Sequence, residues 1–135
     1  MKLTGGCYCG ALRFEAEGQP GFRGQCHCRP CQYISGGGPN FFMMMPADGV
    51  RYVRGTPQSF ARSDLENPVT REFCGTCGTP VLTRIAGYDQ VVLKAGALDD
   101  PARFGTPQAA IYTKDQQPFH VIAADVPRFE NLPDR

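Results

Sequence analysis

The chain contains no tryptophan and only two histidines, and its longest apolar run is the five residues "FFMMM" at 41–45. A membrane-spanning helix takes about 20 apolar residues in succession, so none is expected. An excess of one charge sign is also missing: 14 Lys and Arg stand against 13 Asp and Glu, a formal net charge of +1. Nucleic acids and anionic membranes are bound by clustered basic side chains, and this balance gives no such footprint. Sustained helical periodicity is absent, and so is the Gly-rich fingerprint of a dinucleotide-binding turn. The opening segment "MKLTGGCYCGALRFEAEG" has no apolar signal core. A cytoplasmic setting is therefore expected, in which thiols stay reduced and clustered cysteines bind metal rather than pair.

What is present is a chain of 135 residues, a length that suits one domain over 1–135 with one core. Its 16 glycines and 12 prolines are spread throughout and break it into short segments. "ALRFEAE", "NFFMMM", "VRYVRG", "QSFARS", "VTREF", "PVLTRI", "QVVLKAG" and "AAIYTK" are apolar runs or period-two alternations bounded by turn residues. They predict a mainly β protein of short strands. "DDPARF" predicts a single helical turn with Pro101 at its start. "FFMMM" reads as a buried strand, with a soft binding wall as the other use of such residues. "GGGP" at 36–39 reads as a flexible turn that also permits close backbone approach.

Seven cysteines fall into three groups: Cys7 and Cys9; Cys26, Cys28 and Cys31; Cys74 and Cys77. The last group, Cys-Gly-Thr-Cys-Gly, has the form of a metal knuckle, in which a tight turn points two thiolates at one ion. Cys7 and Cys9 form the other self-contained pair, and the four together complete a closed, structural tetrahedral site. Cys26, Cys28 and Cys31 then remain, and three protein ligands with one free position describe a catalytic zinc. A thiol entering that position would be held as thiolate, the form that attacks an aldehyde. Spacing leaves alternatives open. Cys26 and Cys28 could oppose the knuckle instead, or three cysteines could be buried bystanders. His27 lies between two ligands and in an extended segment points away from them, as a partly exposed or hydrogen-bonding neighbour. His120 reads as a local surface or packing residue, with a long-range role as fourth ligand as the alternative.

In order, "GGCYCGALRFE", "CHCRPCQYISG" and "REFCGTCGTPV" resemble the three cysteine motifs of the glutathione-dependent formaldehyde-activating enzyme family, which includes the centromere-protein-V-like domains. "AGALDDP" and "DVPRFENLP" resemble its later segments. The resemblance implies the Mss4-like, or β-tent, fold in a single domain, with a structural zinc on Cys7, Cys9, Cys74 and Cys77. It places a second, open zinc on Cys26, Cys28 and Cys31, the residues that would carry catalysis, so two zincs per chain are expected, the second partly occupied. The implied reaction joins formaldehyde and glutathione into S-(hydroxymethyl)glutathione, classed as a carbon–sulfur lyase, with a small thiol as the partner. A non-catalytic zinc-stabilised binding module is the alternative. Many members carry a basic pair where Gln32 and Tyr33 stand here, a histidine where Ala110 stands and a tryptophan near Phe119. If the basic pair holds the carboxylates of glutathione, its loss implies a different thiol.

Overall fold

Alternation of side chains in short strands produces two sheets of unequal size. In the computed structural model, which describes residues 1–133, the smaller sheet is antiparallel and runs in the order β1 (Lys2–Gly6), β2 (Arg13–Glu17), β5 (Val50–Arg54). The larger has seven strands, in the order β10 (Ala109–Ile111), β3 (Arg23–Cys26), β4 (Asn40–Pro46), β9 (Gln90–Lys94), β8 (Pro80–Arg84), β7 (Thr70–Phe73), β6 (Gln58–Phe60). All its pairings are antiparallel except that of β10 with β3. Among the described residues, no helix is long and apolar enough to cross a membrane.

The core lies between the sheets. Phe14 and Ala16 of β2 meet Met43 and Met45 of β4, Leu82 of β8 and Val91 and Leu93 of β9. Phe14, Met43, Met45 and Leu93 are fully buried. Cross-strand register carries the alternation through the larger sheet: Met43 pairs with Leu93 and Leu82 pairs with Leu93, all toward the core. The intervening residues Phe42, Met44, Val92, Lys94 and Thr83 face the other way. "FFMMM" thus serves both readings, with Met43 and Met45 in the core and Phe42 and Met44 on a second face.

β1, which none of the expected runs covers, lies outside the sequence expectation, and two further elements do as well. β3 contains Gly24 and no β-branched residue, and it is extended because β10 and β4 pair with it on either side. A Cβ on Gly24 would come within 2.6 Å of the Phe22 ring, so glycine lets that ring fold over the sheet. The other is a helix, α1 (Arg29–Ile34), with Pro30 in its first turn. Six residues are too few for a periodic pattern to show. "AAIYTK" is a strand only to Ile111, because Tyr112 turns left-handed at φ 54° into a short 3₁₀ turn, Thr113–Asp115. "DDPARF" forms the expected turn at Pro101–Phe104, capped by Asp100 accepting from the Ala102 amide at 3.2 Å.

Phe14→Ala should cost about 3–5 kcal/mol in chemical denaturation, since it empties the junction of the two sheets. Phe60→Ala, on edge strand β6 and more than half exposed, should change stability by less than about 0.5 kcal/mol. Equal losses for the two would mean that the core does not lie between the sheets.

Candidate metal centres and the adjoining cavity

Strand ends bring the outer cysteines together. Cys7 follows β1, Cys9 sits in the turn toward β2, and Cys74 and Cys77 occupy the turn between β7 and β8. Their four Sγ atoms lie within 4.8 Å of one another, with Cys7–Cys9 at 3.6 Å and Cys9–Cys74 at 3.8 Å. A tetrahedron with ligand bonds of about 2.3 Å has edges of about 3.8 Å, so the donor set fits a zinc ion. Backbone amides point at the sulfurs: Leu12 N–H donates to Cys7 at 3.1 Å, and the Thr76 and Cys77 amides donate to Cys74 at 3.4 Å each. Gly78 completes the knuckle at φ +80°, where a side chain would be strained. The Thr79 hydroxyl and amide draw the Cys77 thiol down to about 5. Cys9, which the Ala11 amide lowers, is nonetheless pushed to about 11 by desolvation and the neighbouring sulfurs. Such splitting is what crowded thiols do until a cation lets all of them ionise.

The second cluster is built by β3 and α1. Cys26 ends β3, Cys28 caps α1 and Cys31 lies one turn further, and their sulfurs also fall within 4.8 Å of each other. Hydrogen bonds from Cys26 and Cys31 hold Cys28 down to about 3. Interaction with Cys28 raises the Cys26 thiol far above its usual range. Cys31 is lowered by Cys26 but raised on balance to about 11 by Cys28 and burial. No fourth His, Cys, Asp or Glu joins the group among the described residues.

His27 does turn away from the sulfurs, but it is fully buried rather than partly exposed. Its Nε2 accepts from the Gln25 side-chain amide at 3.1 Å, which leaves Nδ1 as the donor to His120 Nδ1 at 2.9 Å. His120 Nε2 then donates to the Gly37 carbonyl at 2.7 Å. Desolvation and the neighbouring His120 and Arg128 lower the His27 pKa, consistent with this neutral tautomer. His120 is therefore a buried, long-range partner and not a surface residue. It ties the late segment to the Gly36–Gly38 loop, and that loop does not line the cavity. Gln32 is also buried, and its amide donates to the carbonyls of His27 at 2.8 Å and Asp115 at 2.9 Å. Tyr33 is exposed, with the Arg29 guanidinium 4.9 Å from its ring centre. Positions 32 and 33 thus lie off the cavity wall. Ala110 is wholly buried, and Phe119 is exposed and packs edge-on against His120.

A cavity of about 550 Å³ opens on Cys26 and Cys31, within the usual range of roughly 300–1,000 Å³ for small-molecule sites. Its wall is the second face of the larger sheet, with Phe42, Met44 and Val92 as apolar floor. Lys94 and Arg71 are its only charged lining residues among those described. Burial pushes the Lys94 ammonium down to about 8, although the charges on the cysteines favour its protonated form. The field of Arg71 contributes in turn to the depression of Cys28. Neither cation stood out in the sequence, where "QVVLK" and "VTREF" read only as strands.

The sequence model of the family described as glutathione-dependent formaldehyde-activating enzyme matches residues 2–115. No curated protein matches the chain. Among solved structures, a Rhodobacter sphaeroides protein is similar in fold, with a TM-score of 0.61 and 23% identity over 79% of this chain and 97% of that one.

Serine nearly preserves the volume of cysteine but is a poor metal ligand, so it separates ligation from packing. Cys74→Ser breaks the cluster that joins the two ends of the first 77 residues. Apparent zinc-binding energies in small peptides are about 10–16 kcal/mol, against about 5–15 kcal/mol for a whole domain. This variant should be insoluble or molten by circular dichroism. Cys28→Ser, in a cluster spanning six residues, should stay folded and hold one metal ion. The opposite outcome would reverse the roles of the two clusters.

Proposed function

The chain belongs to the glutathione-dependent formaldehyde-activating enzyme family, and from that premise we propose that it is a zinc enzyme of carbon–sulfur lyase type. It would join a small thiol, with glutathione as the reference, to an aldehyde such as formaldehyde. Three gathered thiols, of which Cys26 and Cys31 line an apolar cavity, with no fourth protein ligand among the described residues, carry this reading. The outer four cysteines would hold a structural zinc, and Cys26, Cys28 and Cys31 a second one.

When bound, zinc supplies a Lewis acid that lowers the pKa of a thiol and keeps it as thiolate at neutral pH. The chain supplies the rest. Cys26, Cys28 and Cys31 would hold the ion, and the cavity beside Cys26 and Cys31 would admit the substrate. Neutral His27, locked to His120, is kept from competing as a ligand. Lys94 sets a positive charge beside an anionic group of sulfurs, which favours an incoming thiolate there. The apolar floor limits water around the reacting atoms, which strengthens that electrostatic effect. The sulfur lone pair forms the C–S bond, the carbonyl π pair moves to oxygen, and that oxygen takes up, from solvent, a proton equivalent to the one the thiol released. Reversal releases thiol and aldehyde. Electrons are conserved within the two reactants, so the step needs no redox cofactor.

Cobalt can replace zinc and reports sulfur ligation by its charge-transfer absorption. Adding glutathione to the cobalt-loaded protein should strengthen that band, and Cys28→Ser should abolish the response. A mild chelator should remove the ion of the three-cysteine cluster first, leaving a folded protein with one zinc. An unchanged spectrum at saturating glutathione, with a single tightly held metal ion, would instead describe a zinc-stabilised binding module.

A further inference from the structure

The cavity holds more positive charge than the metal cluster explains. Lys94 on β9 is two strands from β3, which carries Cys26, and lies among the charges of the three sulfurs. A divalent ion on three thiolates leaves one net negative charge, which Lys94 offsets. Arg71 on β7 is four strands from β3 in the sheet order and forms the outer end of the same wall. Arg13, Arg51, Arg62 and Arg84 each hold a carboxylate. Arg71 pairs with none among the described residues, and no acidic side chain among them lines the cavity.

Directly across from Arg71 in the β7–β8 register stands Thr83, which lines the same wall. Thr83 is 5% exposed, and its hydroxyl has no hydrogen-bond partner among the described residues. A buried hydroxyl without a partner is costly, and beside it the half-buried Arg71 has no carboxylate partner among the described residues. The planar guanidinium fork matches a carboxylate, which it can hold by two parallel hydrogen bonds. Between this end and the cysteines run Phe42, Met44 and Val92.

We propose that Arg71, with Thr83 beside it, is a carboxylate-recognising subsite, so that the substrate is an anionic thiol compound whose sulfur and carboxylate are separated by an apolar stretch. This rests on the reading that the substrate sulfur meets the Cys26–Cys28–Cys31 cluster.

The test uses the full-length protein, cobalt-loaded for spectroscopy and zinc-loaded for calorimetry, with mercaptohexanoate, mercaptohexanol and hexanoate as probes. Mercaptohexanoate should bind about tenfold or more tightly than mercaptohexanol, as expected for a partly desolvated charged hydrogen bond. In Arg71→Met the two should bind equally, at the affinity of mercaptohexanol, and Arg71→Lys should restore part of the preference. A denaturation curve close to that of the parent shows that the variant folds. Equal binding of the two thiols to the parent protein, with a cobalt response to both, would overturn the carboxylate subsite and leave the metal reading intact. A preference that survives in Arg71→Met would overturn it as well. Arg71-dependent binding of hexanoate, with no spectral response to either thiol, would support the subsite while refuting the metal reading.

Discussion

Four sulfurs packed within 4.8 Å of one another cannot all carry charge unless a cation sits among them. The cluster brings together Cys9 and Cys74, 65 residues apart. Around this closure the end of β1 and the start of β2 are held against the β7–β8 turn. The smaller sheet lies on the larger with Phe14 in one buried cluster with Met43, Met45 and Leu93. A domain of this size has a modest core, and a metal site of this kind adds binding free energy directly to folding.

Once the core face of the larger sheet is committed to the smaller sheet, the alternate residues of β4, β9, β8 and β7 must face the other way. They build the cavity, so one strand supplies both stability and site. Met43 and Met45 are core, while Phe42 and Met44 are floor. Lys94 is carried to the wall by the same alternation that buries Leu93. The second cysteine cluster stands at the end of this wall because β3 lies beside β4 in the sheet.

The three cysteine groups were legible because ligand spacing is a local property, but spacing left open which pair opposes the knuckle, and it is the fold that brings Cys7 and Cys9 to Cys74 and Cys77. Most strands were legible because Gly and Pro bound them. β3 was not, since "RGQC" is extended only through its neighbours. α1 is shorter than the pattern that would reveal it. The histidines illustrate a different limit. His27 was correctly read as turned from the sulfurs, yet its partner lies 93 residues away, and no local signal links the two. Arg71 and Thr83 are likewise joined only by strand register, so their common position on the cavity wall emerges from the fold alone.

The central claim is that one cluster is closed and the other open. X-ray absorption at the zinc edge measures it most directly in the fully loaded protein without added thiol. The account predicts sulfur neighbours at about 2.3 Å with an average number between three and four, plus a lighter-atom shell at about 2.0–2.1 Å. Removal of the labile zinc should raise the average to four sulfurs and erase the lighter shell. Four sulfurs per zinc before and after partial removal, with no lighter atom in either state, would contradict the division into a closed and an open site.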